Sequence, residues 1–249
     1  MEDTNLHTRK LMFMSELNGW MEITHIIQET PDTKTIRVKL AELLDFIPGQ
    51  FVMLGLNLDV AGEKKLVKRA YSIASSPAKD YLELTFNIYP QGQLSPHLYN
   101  LKKGDTVYIE GPYGKFTFKE NQTMEAVFLA AGAGLTPLMS MIRHVVDKKL
   151  KMKWTLLYSA KKPENIIYKK ELEEIEKSKK AKISITITRP EDTGWPGLTG
   201  RIDAEKVKSS ANLDNSIFYI CGPPDMVEGT VKILEGLGVP KDRINREQW

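Results

Sequence analysis

The chain has 249 residues, 41% of them hydrophobic and 27% charged, with a net charge of +3 and one cysteine, Cys221. Ordinary domains run to roughly 100–200 residues, so one large or two modest globular domains are expected. A lone cysteine excludes a disulfide framework and a cysteine-ligated iron–sulfur cluster held by this chain alone, and so small a net charge gives no argument for nucleic acid.

Residues 1–15 lack the continuous apolar core of a signal peptide, and no run approaches the roughly 20 apolar residues of a membrane span. A cytoplasmic, reducing setting is therefore expected. Residues 1–18 read as an N-terminal extension whose Leu6, Leu11, Met12 and Phe13 are available to cover a groove.

From residue 19 to about 120 the pattern has a period of two. Ile36, Val38 and Leu40 alternate with Thr35, Arg37 and Lys39; Leu82, Leu84, Phe86 and Ile88 alternate with Glu83, Thr85 and Asn87; Val107 and Ile109 lie between Thr106, Tyr108 and Glu110. Alternation buries one face and wets the other, as in an antiparallel sheet or small β-barrel. Turn signals at Pro48-Gly49, Ser76-Pro77, Lys103-Gly104-Asp105 and Gly111-Pro112 separate these runs. The one helix expected here lies around Pro96 to Leu101.

Residues 121–249 change character. Ala126 to Ala131 is a continuous apolar run, which suits a strand covered on both faces of a parallel sheet. A helix follows with Leu138, Met141, Ile142 and Val145 on one stripe. Next come a strand at Trp154–Tyr158, a charged helix near 168–179, strands at 183–188 and 217–221, and a helix carrying Val227, Val231 and Leu234. Strands alternating with helices predict an α/β, doubly wound parallel sheet. The polar stretch at 119–123 marks the boundary between the domains.

Four segments could carry chemistry. Gly132-Ala133-Gly134-Leu135-Thr136-Pro137 lies between the apolar strand and its helix, with Thr136 placed to cap and Pro137 at the first helical position. Glycines there let backbone approach a ligand, and a helix N-terminus suits a pyrophosphate; a plain tight turn explains the glycines equally well. Cys221-Gly222-Pro223-Pro224 forms a second strand-to-helix turn, at the carboxyl end of a strand where open α/β sheets bind ligands. Cys221 itself reads as a buried thiol near a cofactor rather than a redox centre, since no second cysteine can resolve it. Arg69-Ala70-Tyr71-Ser72 puts a cation and a ring on one strand face, fit for a phosphate-bearing aromatic ligand yet also ordinary strand material. Downstream, Gly92-Gln93-Leu94-Ser95 offers another phosphate turn, with Ser95 able to cap a short helix.

Taken in order, Arg69-x-Tyr71-Ser72, Gly111-Pro112-Tyr113-Gly114-Lys115-Phe116, Gly132-x-Gly134-x-Thr136-Pro137 and Cys221-Gly222-Pro223-Pro224 resemble the ferredoxin–NADP(H) reductase superfamily. Pro48-Gly49-Gln50-Phe51 and Glu247-x-Trp249 extend the resemblance over about residues 20–249. It implies an antiparallel β-barrel FAD-binding domain at 19–120 followed by an NAD(P)-binding domain at 121–249. Arg69 would hold the FAD pyrophosphate, Ala70, Tyr71 and Ser72 would lie along the flavin, and Gly92, Gln93, Leu94 and Ser95 would meet its phosphates. Ser72 would stand near the hydride-accepting nitrogen. Gly134, Thr136 and Pro137 would receive the nicotinamide nucleotide, with Cys221 and Gly222 beside the nicotinamide. Glu247 would lie near the flavin edge, and Trp249 would cover the ring and gate access, or else anchor the C-terminus. The implied reaction passes hydride from NADPH or NADH to FAD and electrons onward to a separate acceptor such as ferredoxin, flavodoxin or an oxygenase component.

Two departures narrow this. The chain shows neither a four-cysteine ferredoxin module nor a globin domain, and the phosphate segment has Gly92 alone where similar enzymes carry a glycine pair. Thr188, Arg189 and Arg201 favour the extra phosphate of NADPH, because a guanidinium fork matches phosphate oxygens. Glu191 and Asp192 close by argue for NADH. The competing readings are a flavin-binding subunit of a larger complex without activity of its own, and an NAD(P)H flavin reductase. The lysine clusters (Lys64, Lys65, Lys68; Lys148, Lys149, Lys151, Lys153; Lys161, Lys162, Lys169, Lys170) read as solvated surface or as a docking face for an acidic protein. His7, His25, His97 and His144 have no metal-ligand spacing, so no metal is expected.

Overall fold

A computed structural model of the protein describes residues 13–120, 123–178, 181–191 and 193–248. The N-terminal residues offered above as a groove cover, Leu6, Leu11 and Met12, lie outside this range, as do Asp192 and Trp249.

The first domain is built from β1 (Phe13–Met14), β2 (Leu17–Thr30), β3 (Thr33–Lys39), β4 (Leu43–Leu44), β5 (Phe51–Val60), β6 (Glu63–Ser72), β7 (Tyr81–Asn87), the short helix α1 (Ser95–Tyr99) and β8 (Thr106–Tyr113). Six of these strands form one antiparallel sheet in the order β6-β5-β8-β2-β3-β7. Ile23, Ile36, Val38, Val52, Leu54, Leu82, Leu84 and Ile109 fill its concave side. The sheet begins before residue 19: Leu17 and Asn18 already pair with Gly111 and Glu110, and Phe13–Met14 pairs with Leu43–Leu44.

The second domain runs β9 (Glu125–Ala131), α2 (Leu135–Asp147), β10 (Trp154–Ala160), α3 (Lys169–Lys177), β11 (Lys182–Ile187), β12 (Leu198–Thr199), α4 (Ala204–Ser210), β13 (Ser216–Gly222), α5 (Pro224–Gly236) and β14 (Ile244–Gln248). All its strand pairings are parallel, in the order β12-β11-β10-β9-β13-β14. The expected strands and helices are present. Three elements escaped the sequence reading: the two-residue strand β12, the seven-residue helix α4 capped by the Asp203 carboxylate accepting from Lys206 N, and the edge strand β14. Among the described residues no helix is long and apolar enough to cross a membrane.

The domains meet along a polar seam. Arg143 on α2 donates to the Ala74 carbonyl at 2.9 Å and to Glu83 Oε2 at 2.8 Å, and forks onto Glu171 at 2.8 and 2.6 Å. Ser140 Oγ donates to the Ser75 carbonyl at 2.7 Å. Tyr168, buried beneath the Arg143 guanidinium, sits at φ 55°, a left-handed conformation that is costly for a bulky residue. Its neighbours hold it there: its N–H donates to Glu29, and its hydroxyl pairs with Thr85.

Candidate functional site

The chain enters the parallel sheet at β9 in the middle, winds outward through β10, β11 and β12, and returns to β13 on the other side of β9. Such a reversal of direction opens a crevice at the carboxyl ends of the strands. The two glycine turns converge there. A Cβ built on Gly134 would stand 2.2 Å from the Cys221 carbonyl oxygen and 2.5 Å from Gly222 N, so only glycine lets the turns touch. Gly132 needs its residue type for another reason, a φ of +54° in open space.

The barrel presents a cleft of about 540 Å³ to this crevice. Arg69, Ala70, Tyr71 and Ser72 on β6 form its floor, Thr85, Phe86 and Asn87 on β7 its back, and Gly92, Gln93, Leu94 and Ser95 its outer end. Ala133 and Thr136 from the second domain, with Glu247 and Gln248 from β14, close the inner end. At the rim Arg69 donates to Gln93 Oε1 at 3.0 Å and to the Lys68 carbonyl at 2.7 Å, which holds an exposed guanidinium over the cleft. Burial pushes the Tyr71 hydroxyl up to about 12, so it stays a neutral donor.

Two local expectations change. Thr136 does not cap α2: a 3₁₀ turn at Gly132–Gly134 leads into the helix, and Thr136 lies in its first turn with no side-chain cap bond. Its Oγ1 is buried without a partner against the cleft, and buried hydroxyls are almost always hydrogen-bonded. Ser95 does not cap α1 either. Its hydroxyl accepts from Tyr89 N at 2.9 Å and bonds the Tyr89 carbonyl at 3.2 Å, folding residues 89–95 into a closed loop. That closure explains the single glycine, since a Cβ on Gly92 would meet Ser95 Oγ at 2.9 Å.

A second cleft of about 830 Å³ lies across the carboxyl ends of β9, β10, β11 and β13. Thr188, Arg189 and Arg201 line it, joined by Lys161 and Asp225. Arg189 N donates to the Lys161 carbonyl at 2.9 Å, so two cationic side chains leave adjoining strand ends together. The first cleft's Asn87 and Tyr89 also line the second, so ligands filling both would abut at these residues.

Not every expected residue reaches a cleft surface. Gly134, Pro137, Cys221 and Gly222 are buried behind the walls, where they bring the turns together. Burial, reinforced by the neighbouring Glu247 charge, holds the Cys221 thiol well above its ordinary range, so it is a thiol and no nucleophile. Burial also raises Glu247 to about 7. Sequence reasoning missed Asn87 and Tyr89 as site residues, together with Lys161 and Asp225. Asn87 continues the row of Glu83 and Thr85 on the face opposite the barrel core, a polar row on a strand, and that was the available signal.

An antiparallel half-barrel with one cleft, joined to a doubly wound sheet with an adjoining second cleft, defines a two-domain architecture with neighbouring ligand sites. Residues 21–118 match the family described as the oxidoreductase FAD-binding domain, and residues 128–232 match the oxidoreductase NAD-binding domain. The chain belongs to the ferredoxin–NADP(+) reductase-like superfamily. It is 33% identical over 233 residues to the glycine betaine monooxygenase reductase subunit of Pseudomonas aeruginosa, an alignment covering 90% of this chain and 62% of that protein. The sulfhydrogenase 1 subunit gamma of Pyrococcus furiosus is 34% identical over 212 residues, 83% of this chain and 69% of that one. The flavohem-like FAD/NAD-binding domain of nitric oxide dioxygenase from Vibrio cholerae shares the fold, with a TM-score of 0.84 at 21% identity over 93% of this chain and 98% of that one. The chain thus spans about 62% of the length of the first of these relatives.

Proposed function

We propose that this chain is an FAD-dependent reductase that takes hydride from a nicotinamide dinucleotide and delivers electrons to a separate acceptor protein. FAD belongs in the barrel cleft, and the nucleotide in the cleft across the parallel sheet. The observation that carries the reading is the junction of the two clefts at Asn87 and Tyr89, with the unpartnered Thr136 hydroxyl buried beside it. Hydride transfer needs donor and acceptor atoms within about 3–3.5 Å, which adjoining clefts permit.

Bound FAD would supply the acceptor and the capacity to release electrons singly or in pairs. This chain's residues bind and orient. Arg69 neutralises the pyrophosphate, with Gln93 fixing its fork. Ser72 and Thr136 would border the bound group from opposite domains, Ser72 with a hydroxyl to offer it. Glu247, raised to about 7, can hold or give up a proton at the inner end near neutrality. Lys161, Arg189 and Arg201 form a cationic end to the second cleft that favours the extra phosphate of NADPH.

Among acceptors (ferredoxin, flavodoxin or an oxygenase component), the likeness to a monooxygenase reductase subunit favours an oxygenase component. A subunit role within a larger complex is the second reading, favoured by the likeness to a sulfhydrogenase subunit. Arg69 and the closed 89–95 loop, as holders of the FAD phosphates, speak against release of free reduced flavin. A reducing cytoplasm is the compartment proposed, consistent with the one described cysteine being a buried free thiol.

The test is a spectrum of the purified protein with FAD, then anaerobic titration with each nucleotide. Flavin bands that bleach faster with NADPH than with NADH are expected. A colourless protein sinks the assignment, and a strong NADH preference reverses the choice of nucleotide.

A further inference from the structure

A row of hydroxyls runs along the face of the barrel sheet turned away from its core, from the FAD cleft to the domain seam. Thr85 lines the cleft, and its Oγ1 lies 2.6 Å from Thr35 Oγ1 on the neighbouring strand. Thr35 Oγ1 donates to Glu29 Oε1 at 2.8 Å. Glu29 is half-buried and lines a groove of about 800 Å³ on the domain seam, which opens to solvent. Both threonines are buried, 1% and 4% exposed, so neither hydroxyl exchanges protons with water directly.

Each hydroxyl carries one proton, so the carboxylate fixes the direction of the row. With Glu29 ionised, Thr35 must donate to it, Thr85 must donate to Thr35, and the Tyr168 hydroxyl must donate to Thr85. In that state Thr85 can only accept a hydrogen bond from the cleft. Protonated Glu29 can instead donate to Thr35, which reverses the row and points the Thr85 proton away from Thr35. A chain whose members polarise one another reverses as a unit.

We propose that Glu29, Thr35 and Thr85 form the proton path between the FAD cleft and solvent. In the delivering direction the Glu29 carboxyl proton passes to Thr35 oxygen, the Thr35 proton to Thr85 oxygen, and the Thr85 proton into the cleft. Each hydroxyl breaks one O–H bond and forms another, and Glu29 is left as a carboxylate that the groove reprotonates. The reverse sequence removes a proton as electrons leave. No electron moves along the row.

The surroundings of Glu29 suit a group that titrates. Burial raises its pKa, while the hydrogen bonds from Thr35 and from Tyr168 N–H and the charge of Arg143 on α2 pull it back. Glu83 on β7 adds a like charge, and Arg37, Lys169 and Lys170 also line the groove. The row is not required by burial alone, because valine in place of either threonine would leave no polar atom to satisfy at that position.

The inference rests on FAD occupying the barrel cleft, and the experiment separates the two. FAD-loaded protein is photoreduced by a light flash with EDTA as the sacrificial electron donor, without nicotinamide. Visible absorbance then follows protonation of the bound cofactor, and infrared absorbance follows the Glu29 carboxyl. Thr35→Val should slow cofactor protonation at least about tenfold, the scale of a lost positioned proton donor, while Thr35→Ser keeps the wild-type rate. Glu29→Gln should slow it likewise and abolish the carboxyl signal. Wild-type protonation rates in Thr35→Val, with only its melting temperature changed, would overturn the path and leave the FAD site standing. A wild-type infrared trace with no carboxyl signal sensitive to Glu29→Gln would do the same. A protein that takes up no FAD overturns both.

Discussion

Burial acts on Glu247 and Cys221 in the same direction with different consequences. It leaves Cys221 permanently protonated, and it brings Glu247 up from the ordinary 4.5 to about 7, where it titrates near neutrality. The folded carboxyl therefore keeps its proton in a window where the unfolded one has lost it. Stability from this group is complete below about pH 4.5 and is lost as pH rises through about 7. Glu247→Gln cannot ionise. Thermal unfolding of this variant across that window should be flatter with pH than the wild type and higher at its alkaline end, by up to about 3 kcal/mol. Parallel pH curves for the two proteins would refute the assignment.

Elements matter here through their ends. The turn after β9 needs two glycines for separate reasons, backbone conformation at Gly132 and contact with the β13 turn at Gly134. Gly132→Ala should cost about 1–2 kcal/mol, the cost of a side chain in the left-handed region. Gly134→Ala drives a methyl into the Cys221 carbonyl, costs about 3 kcal/mol and weakens nucleotide binding, because it pushes apart the strand ends that shape the second cleft. Urea midpoints and nucleotide dissociation constants of the two variants would check the order; equal effects would show that the turns do not pack as described. The glycines were legible in the sequence, and so were both sheets, because periods of two and continuous apolar runs survive in any tertiary context. The partner of Gly134 was not legible, since it lies at the end of another strand. Nor were the positions of Thr136 and Ser95, whose hydroxyls looked like helix caps locally, but one is buried without a partner and the other is bonded within the 89–95 loop. Short β14 and α4 carry too few residues to show a period.

At the scale of the whole molecule, the seam decides whether two clefts make one site. Nothing in the sequence joins Ala74 and Glu83 to Arg143 and Glu171, since such contacts form only after both domains have folded. Arg143 is 15% exposed at its side chain, and although burial works against its charge, Glu171, Tyr168 and Glu83 raise its pKa on balance. It gains from a fork that binds both domains at once, a geometry lysine cannot copy. Arg143→Met would strand Glu83 Oε2 and both oxygens of Glu171, and removing one partner of a buried ion pair costs about 3–5 kcal/mol. Adding Glu83→Gln and Glu171→Gln should recover part of that loss, because the unpaired charge of Glu171 goes with it, although Glu83→Gln also removes the pair with Arg37. What the triple variant should not recover is domain coupling. Urea unfolding followed by barrel and sheet probes should separate into two steps in both variants, while the wild type unfolds in one. If the triple variant regains stability and still unfolds in one step, the apolar contact of Phe116 and Phe118 with the α2 face holds the domains together instead.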